Sequence, residues 1–502
     1  MSFHITDNML FSSEESRTID SRTINEFGFD SFTLMETAAL GASEIIQKKH
    51  GKKQAGLFIC GKGNNAGDAL AVARHLSDRY EHNIDLYFPL GTKKLTDDTR
   101  KNYSLLSKMK RFGVPINEAD KSELPDFQKY NYVVDGLFGT GISGDIKGFL
   151  FDVIENLNKA NVPVYSMDSP SGLSADSGKV MGISVKASAT FMFGTQKIGL
   201  YLENASLYTG SVHFIPLQFP SHYCSSNTFL LNKNLFDSIP SMKRVARHKY
   251  EQGVVHVVAG SEGLTGAAIT ACRSAWQNGA SAVFLYAPKK LLPIYETILP
   301  EIIKIPLGDD SDSHYKESHA EKITEQLESK PGTLLAGPGV GTRPDTQKCL
   351  LSIFQSYLGK AIIDADALSL WKELKSMAET EQNDWLFTPH IGESTKYMGS
   401  NFSTDIGRLN WAAEISNKHK CSIIMKGTPT FLTTPKNGRF ITAYNTNMFS
   451  KAGFGDQLSG AIAAQTAIRD NSTYAALYSL YSSYMGYRNH NHDRAFTPQS
   501  LL

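Results

Sequence analysis

Residues 55–76 read AGLFICGKGNNAGDALAVARHL, and this stretch decides the fold class. A short apolar segment at 57–60 predicts a buried strand, and a loop rich in glycine and asparagine follows it. Apolar residues then recur at helical spacing, with Ala69, Val72 and Leu76 on one face. A strand, a glycine loop and a helix in this order form the opening unit of a parallel α/β sheet.

A second stretch, residues 253–275, has the same order of elements. Its sequence, GVVHVVAGSEGLTGAAITACRSA, runs from a β-branched strand at 254–258 through a glycine-rich loop into a helix of small residues. Further apolar runs that end in polar residues predict buried parallel strands at 132–139, 162–168, 333–339, 361–368 and 422–427. Ligand-binding residues gather at the carboxyl ends of such strands. The charged residues at these ends are Asp135, Asp168, Asp364, Asp366 and Lys426.

The regular alternation lapses at residues 219–236, which predicts a domain boundary near residue 225. A chain of 502 residues exceeds the size at which one hydrophobic core stops growing. We therefore expect two α/β domains, at 1–225 and 226–502.

Charge and hydropathy exclude several classes of partner. The 51 basic and 50 acidic residues give a net charge of +1, which offers no electrostatic footprint for nucleic acid or an anionic membrane. No apolar run approaches the roughly 18–20 residues of a membrane helix, and MSFHITDNML (1–10) lacks the basic start of a signal peptide. The five cysteines are scattered without a CxxC pair, as is usual for reduced thiols. We expect a soluble, cytoplasmic protein with small-molecule partners.

The loop GKGNNAGD at 61–68 is the sharpest signal of the first half. Gly61 and Gly63 allow a tight turn close to a ligand, and the helix expected to begin near Gly67 offers free N–H groups to a phosphate. A generic α/β turn capped by asparagine remains an alternative. The two asparagine carboxamides and the Asp68 carboxylate can also bind a ribose, a nicotinamide amide or a monovalent cation.

Three further segments follow in the first half: DGLFGTGISGD (135–145), MDSPSGLSADSG (167–178) and ATFMFGTQKIGL (189–200). The first has three glycines that permit backbone contact with a phosphate, and Asp135 before them is costly to bury unless it meets a cation or hydrogen-bond donors. The second places Asp168 and Ser171 around a Pro-Ser-Gly turn. The third projects Lys197 just after a strand. Taken singly, each motif is compatible with simple turn chemistry.

In this order and spacing, the four motifs resemble the N-terminal domain of the epimerase family for NAD(P)HX, the hydrated form of NADH or NADPH, over most of residues 10–225. The resemblance implies a Rossmann-like three-layer sandwich that interconverts the R and S hydrates. Asp168 would face the hydrated nicotinamide ring, with Lys197 nearby for proton transfer or charge stabilisation. The implied potassium ligands are Asn65, Asp135 and Ser171. The residues implied to hold the hydrated nucleotide are Asn64, Asn65, Ala66, Gly67, Asp68, Gly139, Thr140, Gly141, Ile142, Ser143, Gly144, Asp145 and Asp168.

The segment KAGFGDQLSGAIAAQTA at 451–467 is the strongest signal in the chain. Two glycines and an aspartate precede a helix of small residues, and the free N–H groups expected at 452–456 can stabilise a transferring phosphoryl group. Asp456, in the first turn of that helix, is placed to take the proton from an attacking hydroxyl. A simple helix cap is the alternative role for this residue. A GxGD motif beside a long Ala/Gly helix resembles the ribokinase superfamily.

Five more segments narrow the resemblance: ARHKYEQGVVHVVAGSEGLTGAA, LLAGPGVGT, IIDADAL, FTPHIGE and IIMKGTPTFL. Together they resemble the ADP- or ATP-dependent NAD(P)HX dehydratase family over roughly residues 235–495, with a ribokinase-like α/β fold. The implied chemistry is phosphorylation of the ring hydroxyl and elimination of phosphate, with Asp456 as base and Mg²⁺ accompanying the nucleotide. The residues implied to contact the hydrate are Ala267, Gly341, His390 and Asp456. Those implied to contact ADP or ATP are Lys426, Gly427, Thr428, Pro429, Thr430 and Gly455.

Four features depart from the two family patterns. Ala66 stands where glycine is usual, which binding tolerates if its φ is negative, and Ser169 replaces an aliphatic residue. HKYEQG (248–253) replaces a shorter segment near the entry loop and introduces Tyr250. Phe454 stands where serine or threonine is usual, and a bulky ring inside the anion turn would narrow the nucleotide site or slow phosphoryl transfer.

Two other functions remain compatible with the motifs: a ribokinase-type small-molecule kinase fused to a nucleotide-binding domain, and a catalytically weak nucleotide-binding sensor. The TPHxGE and KGTPT motifs behind an NNxGD domain favour the bifunctional repair enzyme over the kinase, whereas Phe454 supports the sensor. Asp364 with Asp366 is as compatible with orienting backbone turns as with metal binding, and we assign no metal to this pair. For His490 with His492, a solvated turn is preferred to a metal site. The resemblance also implies a homo-oligomer and, for a fused chain, ADP as the nucleotide.

Overall fold

A computed structural model of the protein describes residues 8–118, 123–142, 144–240, 253–436, 438–469, 471–490 and 495–501. The chain divides into two compact units, Ser2–Ser226 and Asn227–Leu502. Each unit contains its own, mainly parallel, sheet, which confirms the predicted α/β class. In the described part of the chain, no helix combines the length and the apolar character needed to span a membrane.

The first unit is built on a sheet whose strands are all parallel to their neighbours. Their order across the sheet is β4 (Ile116–Glu118), β3 (Asn83–Tyr87), β2 (Ala55–Cys60), β5 (Tyr132–Gly136), β6 (Val164–Met167), β7 (Ala189–Phe193) and β9 (Ser211–Ile215). Two short strands pair in parallel with each other: β1 (Leu10–Phe11) and β8 (Gln196–Lys197). The strands are continuously apolar because side chains on both faces of a covered parallel sheet are buried.

The helices of this unit are α1 (Ser13–Asn25), α2 (Ser31–His50), α3 (Asn64–Tyr80), α4 (Asp97–Arg111), α5 (Phe149–Lys159) and α6 (Ser206–Thr209). Two apolar clusters lie on opposite faces of the sheet. One joins Phe58 of β2 to Leu70 of α3, and the other joins the adjacent strand residue Leu57 to Val153 of α5. This confirms the predicted three-layer sandwich.

The chain order of the first sheet reverses between β2 and β5. β2 leads outward to β3 and β4, whereas β5 leads to β6 and β7, so the loops after β2 and β5 diverge and leave a crevice. Helix α3, which follows β2, begins at Asn64 with Gly63 as its N-cap residue. The two asparagines expected in a loop before Gly67 are therefore the first helical residues, and the predicted helix start is corrected.

The second unit contains a larger sheet. Its strands lie in the order β10 (Thr228–Leu231), β19 (Gly438–Thr442), β18 (Phe431–Thr434), β17 (Ser422–Met425), β16 (Asp384–Phe387), β15 (Lys360–Ile363), β14 (Thr333–Ala336), β11 (Val254–Val258), β12 (Ala282–Pro288) and β13 (Ile303–Leu307). Neighbours are parallel except where β18 meets β17 and β19. The chain order reverses between β11 and β14, which is the second switch point.

The helices of the second unit are α7 (Lys233–Asp237), α8 (Thr265–Gln277), α9 (Leu292–Ile298), α10 (Ala320–Ser329), α11 (Pro344–Ser356), α12 (Trp371–Met377), α13 (Ile391–Met398), α14 (Asp405–His419), α15 (Phe454–Arg469) and α16 (Ser472–Arg488). The small residues of α15 let it pack closely on α8. A Cβ at Gly460 would overlap the Ala271 carbonyl oxygen, and the Ser274 hydroxyl donates to the Gln457 carbonyl oxygen at 2.6 Å. This contact fixes the position of the first turns of α15.

Candidate active sites

A cavity of about 430 Å³ opens at the switch point of the first unit. Its wall combines the start of α3 after β2, the loop after β5 and the turn after β6. Motifs that are far apart in the sequence therefore meet at one place, because the carboxyl ends of parallel strands share one edge of the sheet. The predicted site residues in the wall are Asn64, Asp68, Thr140, Gly141, Asp168 and Lys197.

Lys197 and Asp168 form an ion pair in the wall of this cavity. Lys197 is only 3% exposed, and its ammonium also donates a hydrogen bond to the Phe193 carbonyl oxygen at 3.2 Å. Asp168 has a φ of +58°, in the left-handed region that few residues other than glycine adopt. Backbone conformations of this kind concentrate at functional sites. A carboxylate and an ammonium held together in a cavity wall suit acid/base chemistry on a bound ring.

Asp135, at the carboxyl end of β5, is 1% exposed and surrounded by hydrogen-bond donors. Its carboxylate accepts from the Ser171 hydroxyl (2.5 Å) and amide (2.8 Å), from the Ser166 hydroxyl (2.8 Å) and from the Leu137 amide (3.3 Å). Burial raises the pKa of Asp135 above its usual value despite these bonds. A cation beside this carboxylate would favour its charged form.

Asn65 offers an oxygen without a partner in the same place. Its Nδ2 donates to the Phe138 carbonyl oxygen at 2.9 Å, and the Phe138 amide donates to Ser171 Oγ at 2.8 Å. Asn65 Oδ1 is buried and has no hydrogen-bond partner among the described residues, and a Cβ at Gly139 would lie only 3.4 Å from it. Because buried polar atoms are rarely left unsatisfied, the oxygens of Asn65, Ser171 and Asp135 fit a monovalent cation.

The remaining predicted residues of this site lie near the cavity but not in its wall. Ala66 and Gly67 are buried within α3, so Ala66 has the helical backbone that tolerates a side chain. Ser169 is also buried, and its hydroxyl donates within its own turn to the Leu173 carbonyl oxygen at 3.4 Å. Ser143 lies outside the described residues. The other members of its loop, which do not line the cavity, are Gly139, Ile142, Gly144 and Asp145.

The second unit has a cavity of about 540 Å³ beside the start of α15. The predicted residues that line it are His390, Lys426, Gly427, Thr428, Thr430 and Gly455. Aromatic residues Tyr444 and Phe449 form another part of its wall. The cavity thus brings the TPHxGE, KGTPT and GxGD motifs together, and its aromatic wall can accept a planar base.

Arg408 of α14 holds the KGTPT turn from beneath. It is 2% exposed, pairs with Asp405 at 3.0 Å, and its guanidinium donates to the Pro429 carbonyl oxygen at 2.6 Å. A Cβ at Gly427 would overlap this guanidinium. Pro429 therefore acts through its backbone, and Gly427 is required where the turn crosses the arginine. Sequence motifs did not identify Arg408, because nothing in the local pattern of α14 marks it.

A cluster of charged residues adjoins the start of α15. Lys426 Nζ lies 2.8 Å from Asp364 Oδ1 and 3.9 Å from Glu393 Oε2, and a Cβ at Gly455 would be 3.5 Å from the same nitrogen. The pKa of Asp456 is raised to about 6, mainly by burial and also by Asp364, while Lys426 opposes the shift. A carboxyl group with a pKa near neutrality is suited to accept a proton during a reaction.

Asp364 and Asp366 have separate roles in this structure. Asp364 Oδ1 accepts a hydrogen bond from Lys426 Nζ at 2.8 Å, whereas Asp366 Oδ2 accepts one from the Gly341 amide at 2.9 Å. His390 is the N-cap of α13: its Nδ1 accepts the Glu393 amide at 3.2 Å, and its own amide donates to the Glu393 carboxylate at 2.8 Å. These two reciprocal hydrogen bonds hold Glu393 near Lys426. Among the described residues, no group of three or more His, Cys, Asp or Glu side chains could hold a metal ion.

Ala267 and Gly341 do not line the 540 Å³ cavity. They lie after β11 and β14, on the two sides of the second switch point. The two loops are joined there, because Ser261 Oγ donates to the Gly339 carbonyl oxygen at 2.9 Å and a Cβ at Gly339 would crowd Ala267. Ala267 and Gly341, which are predicted to contact the hydrate, therefore lie apart from the cavity residues that are predicted to contact the nucleotide.

Phe454 lies in the wall of the 540 Å³ cavity, and its ring packs against other aromatic side chains. Its ring is 3% exposed and packs against Phe496, with centroids 5.1 Å apart, and edge-on against Phe449 at 5.4 Å. Lys451 Nζ donates to the Phe496 carbonyl oxygen at 2.7 Å, and a Cβ at Gly453 would meet Pro498 at 3.1 Å. The aromatic residue therefore anchors the anion turn on residues 495–501.

Only some backbone amides of this turn are free of internal hydrogen bonds, as the sequence predicted for all of them. The Phe454 amide, predicted to be free, donates to the Lys451 carbonyl oxygen at 3.4 Å, a long bond. The Gln457 amide donates to the Gly453 carbonyl oxygen at 3.0 Å and closes the first turn of α15. The Gly455 and Asp456 amides lie within that turn, where an α-helix supplies no internal acceptor.

Replacing Phe454 with serine is expected to lower the free energy of unfolding of the second unit by about 3 kcal/mol or more, because a buried ring leaves a cavity. Urea unfolding of the variant and wild type measures this loss. Phe112→Ser is the control, since that ring is 88% exposed. A Phe454→Ser protein with unchanged stability and faster turnover would instead mean that the ring obstructs the site.

Two sequence features fall partly or wholly outside the described residues. Residues 248–252 of the HKYEQG segment, including Tyr250, lie outside them, as does His492. His490 is described, and its ring packs 5.4 Å from the ring of Phe496.

Comparisons with known proteins cover both units. A family model described as YjeF-related protein N-terminus matches residues 31–199, and one described as NAD(P)H-hydrate dehydratase matches residues 255–497. A protein of Dictyoglomus turgidum named "Bifunctional NAD(P)H-hydrate repair enzyme Nnr" is 30% identical over 468 residues, covering 91% of this chain and 89% of that protein. A protein of the same name from Thermofilum pendens is 27% identical and covers 90% of this chain and 86% of its own.

Solved structures are similar to about half of the chain. The ADP/ATP-dependent NAD(P)H-hydrate dehydratase of Bacillus subtilis, co-crystallised with ATP/Mg²⁺, is 20% identical with a TM-score of 0.47, covering 54% of this chain and 94% of its own. A ribokinase-like superfamily protein of Enterococcus faecalis is 19% identical with a TM-score of 0.47, covering 55% and 93%.

Proposed function

Because the chain belongs to the family of bifunctional NAD(P)H-hydrate repair enzymes, we propose that its first unit interconverts R- and S-NAD(P)HX and its second dehydrates the S form with ADP or ATP. The observation that carries the proposal is that each unit has its own acid/base group beside a ligand-sized cavity. These groups are the Lys197–Asp168 pair in the first unit and Asp456 in the second.

In the first unit, we assign the acid/base work on the hydrated ring to Lys197 and Asp168. Epimerisation at the carbon that bears the hydroxyl requires proton transfer to and from oxygen, which a paired ammonium and carboxylate can provide. Asn64 and Asp68, in the first turn of α3, would bind polar groups of the nucleotide, and the amides of that turn suit a phosphate. The glycine loop after β5 would contact the nucleotide through its backbone.

A potassium ion is part of the proposal, with Asn65, Asp135 and Ser171 as its ligands. The unpartnered Asn65 oxygen and the buried Asp135 carboxylate support it. When bound, the ion would supply a fixed positive charge at the end of β5. These residues would then hold the neighbouring turns after β5 and β6 in the positions that shape the cavity.

In the second unit, we assign the 540 Å³ cavity to ADP or ATP. The KGTPT turn and Gly455 would contact its phosphates, and Asp456 would take the proton of the ring hydroxyl as that oxygen attacks the terminal phosphorus. Phosphorylation converts a poor leaving group into phosphate. Cleavage of the carbon–oxygen bond with loss of a ring proton then restores the dihydronicotinamide. Mg²⁺ would accompany the nucleotide, and we assign no side chain to it.

Both alternative functions are less well supported. A sugar or vitamin kinase does not account for the first unit or for a relative that is 30% identical across both units. The sensor hypothesis rests on Phe454, which is 3% exposed and packs against Phe496 in the wall of the nucleotide cavity. Stacking on Phe496 gives this ring a structural role that does not require an impaired site.

The proposal is tested by recovery of dihydronicotinamide absorbance from a mixture of R and S hydrates. We expect full recovery with ADP or ATP in potassium buffer, none without nucleotide, and slower conversion of the R fraction when tetramethylammonium replaces potassium. Recovery that stops at the S fraction in every buffer would contradict the epimerase half. No recovery with either nucleotide would contradict the dehydratase half.

We further propose that the protein is a cytoplasmic homo-oligomer. The family resemblance supports the oligomer. The cysteines Cys60, Cys224, Cys272, Cys349 and Cys421 are all free, which is compatible with a reducing compartment. Analytical ultracentrifugation of the full chain measures the oligomeric state directly.

A further inference from the structure

Helix α1 is fixed on the strand that carries Lys197. β1, just before the helix, pairs with β8 so that Phe11 lies opposite Lys197. The Thr195 hydroxyl donates to Ser16 Oγ of α1 at 2.8 Å, and the Ser13 amide donates to Asp176 Oδ1 at 2.6 Å. This segment precedes the region 31–199 that matches the family model. It therefore adds a wall to the cavity that none of the motifs describes.

One face of α1 borders the cavity. Ser16, Asp20 and Ile24 follow one another at intervals of four residues and line it together with Arg17. Asp20 is the carboxylate on this face. It sits in the middle of the helix, where aspartate is unfavourable, and it caps no helix end. Its placement is therefore not explained by the local structure of α1.

The carboxylate of Asp20 is close to the Lys197–Asp168 pair without being bonded to it. Within the described residues it forms no hydrogen bond and no ion pair, whereas Lys197 Nζ donates to Asp168 and to the Phe193 carbonyl oxygen. Burial raises the pKa of Asp20, Lys197 opposes the shift, and Asp168 and Asp98 add to it. Asp20 is therefore a partly buried acid that can exchange protons with a bound ligand.

The other charged groups of the cavity have different roles. Asp68 belongs to the first turn of α3, and burial raises its pKa well above the usual value, so it is suited to donate a hydrogen bond as a neutral acid. Asp98 is in the first turn of α4, where a carboxylate stabilises the helix end. Arg17, on α1 itself, is a permanent cation, which suits it to pair with a phosphate of the nucleotide and not to accept a proton. Asp20, in contrast, has neither a helix-end role nor a charge suited to binding the nucleotide.

Inversion at the hydroxyl-bearing carbon needs two proton-transfer groups. The hydroxyl oxygen takes a proton from one group and leaves as water, while the ring nitrogen's lone pair forms a carbon–nitrogen double bond. Water then adds to the other face, a new carbon–oxygen bond forms, and the released proton passes to the second group. In each turnover one proton leaves the donor and one reaches the acceptor, and proton exchange with solvent water restores both groups before the next turnover.

We propose that Asp20 is the second proton-transfer group of the epimerase reaction, acting on one face of the hydrated ring while the Lys197–Asp168 pair acts on the other. This assignment rests on the proposed epimerase function. The geometry behind it is the shared cavity, the anchoring of α1 on β8, and a carboxylate that makes no bond to the pair it adjoins.

The test is Asp20→Asn in the full chain, with R-to-S interconversion followed by chiral chromatography across pH. We expect kcat to fall by about 100-fold or more, KM to change by less than about twofold, and one limb of a bell-shaped pH profile to disappear. Asp20→Glu should restore part of the rate. Glu14→Gln, on the exposed side of the same helix, is the matched control and should behave like wild type.

Several outcomes would overturn the assignment. An Asp20→Asn protein within about threefold of the wild-type kcat would do so, and so would a rise in KM alone, which would make Asp20 a binding group. Urea unfolding of every variant reports whether the first unit is folded, and dehydration of pure S hydrate reports only on the second unit. If wild type dehydrates the S form but never converts the R form, the proposed epimerase function itself is wrong, and the Asp20 assignment fails with it.

Discussion

Asp456→Asn is expected to reduce nucleotide-dependent dehydration by about 1,000-fold while R and S hydrates still interconvert at the wild-type rate. The amide keeps the size of the side chain at the start of α15 but cannot accept the hydroxyl proton. The effect is confined to one reaction because Asp168 and Lys197 belong to the other unit. Stopped assays with pure S hydrate and ADP or ATP measure the loss, and chiral chromatography measures interconversion.

The pH dependence of the wild-type enzyme checks the same assignment. Asp456 must be ionised to act as a base, and burial raises its pKa to about 6, with Asp364 adding to the shift. Dehydration should therefore be fully active well above pH 6 and decline as the pH falls through that value. Asp345→Asn removes an exposed carboxylate from the first turn of α11 and serves as the control for loss of a helix-end charge. A variant at Asp456 that retains more than a tenth of the activity would exclude its role as base.

Asp168→Asn should have the opposite pattern, with epimerisation reduced by about 1,000-fold and dehydration of the S hydrate unchanged. In a mixture of hydrates, recovery of absorbance should then stop at the S fraction. The substitution also leaves the Lys197 ammonium buried without its carboxylate, which costs about 3 kcal/mol or more of stability in comparable pairs. The combined variant Asp168→Asn with Lys197→Met removes that charge and separates loss of chemistry from loss of folding.

Two results would contradict this second prediction. One is wild-type epimerisation in the combined variant, which would exclude the ion pair from the chemistry. The other is a parallel loss of dehydration with the fold preserved, which would mean that the two reactions do not use separate sites. Asp152→Asn, at an exposed position in the first turn of α5, is the control.

The strands could be predicted closely because buried parallel strands are continuously apolar. The run at 254–258 coincides with β11, and those at 132–139 and 361–368 contain β5 and most of β15. The start of α3 was placed too late, because the asparagines of GKGNNAGD were taken as loop residues although they begin the helix. Helix boundaries depend on backbone geometry that composition records only weakly.

Features that depend on tertiary contacts could not be predicted. The Phe454 ring packs against Phe496, which is distant in the sequence, so the local motif could not reveal this structural contact. Asp20 and Arg408 belong to helices without a motif, and only the packed structure places one in a cavity wall and the other beneath a turn. In contrast, the residues of the glycine motifs meet because their strands are parallel, which the sequence already implied.

The anchoring of the anion turn on residues 495–501 has a consequence for the order of synthesis. Ribosomes make this segment only after nearly all of the rest of the described chain, and domains generally fold as units during translation. The first unit can therefore complete its cavity while the second still lacks Phe496, whose ring packs on Phe454 and whose carbonyl oxygen accepts the Lys451 hydrogen bond. A nascent chain would acquire the ability to equilibrate the two hydrates before it acquires the ability to consume either of them.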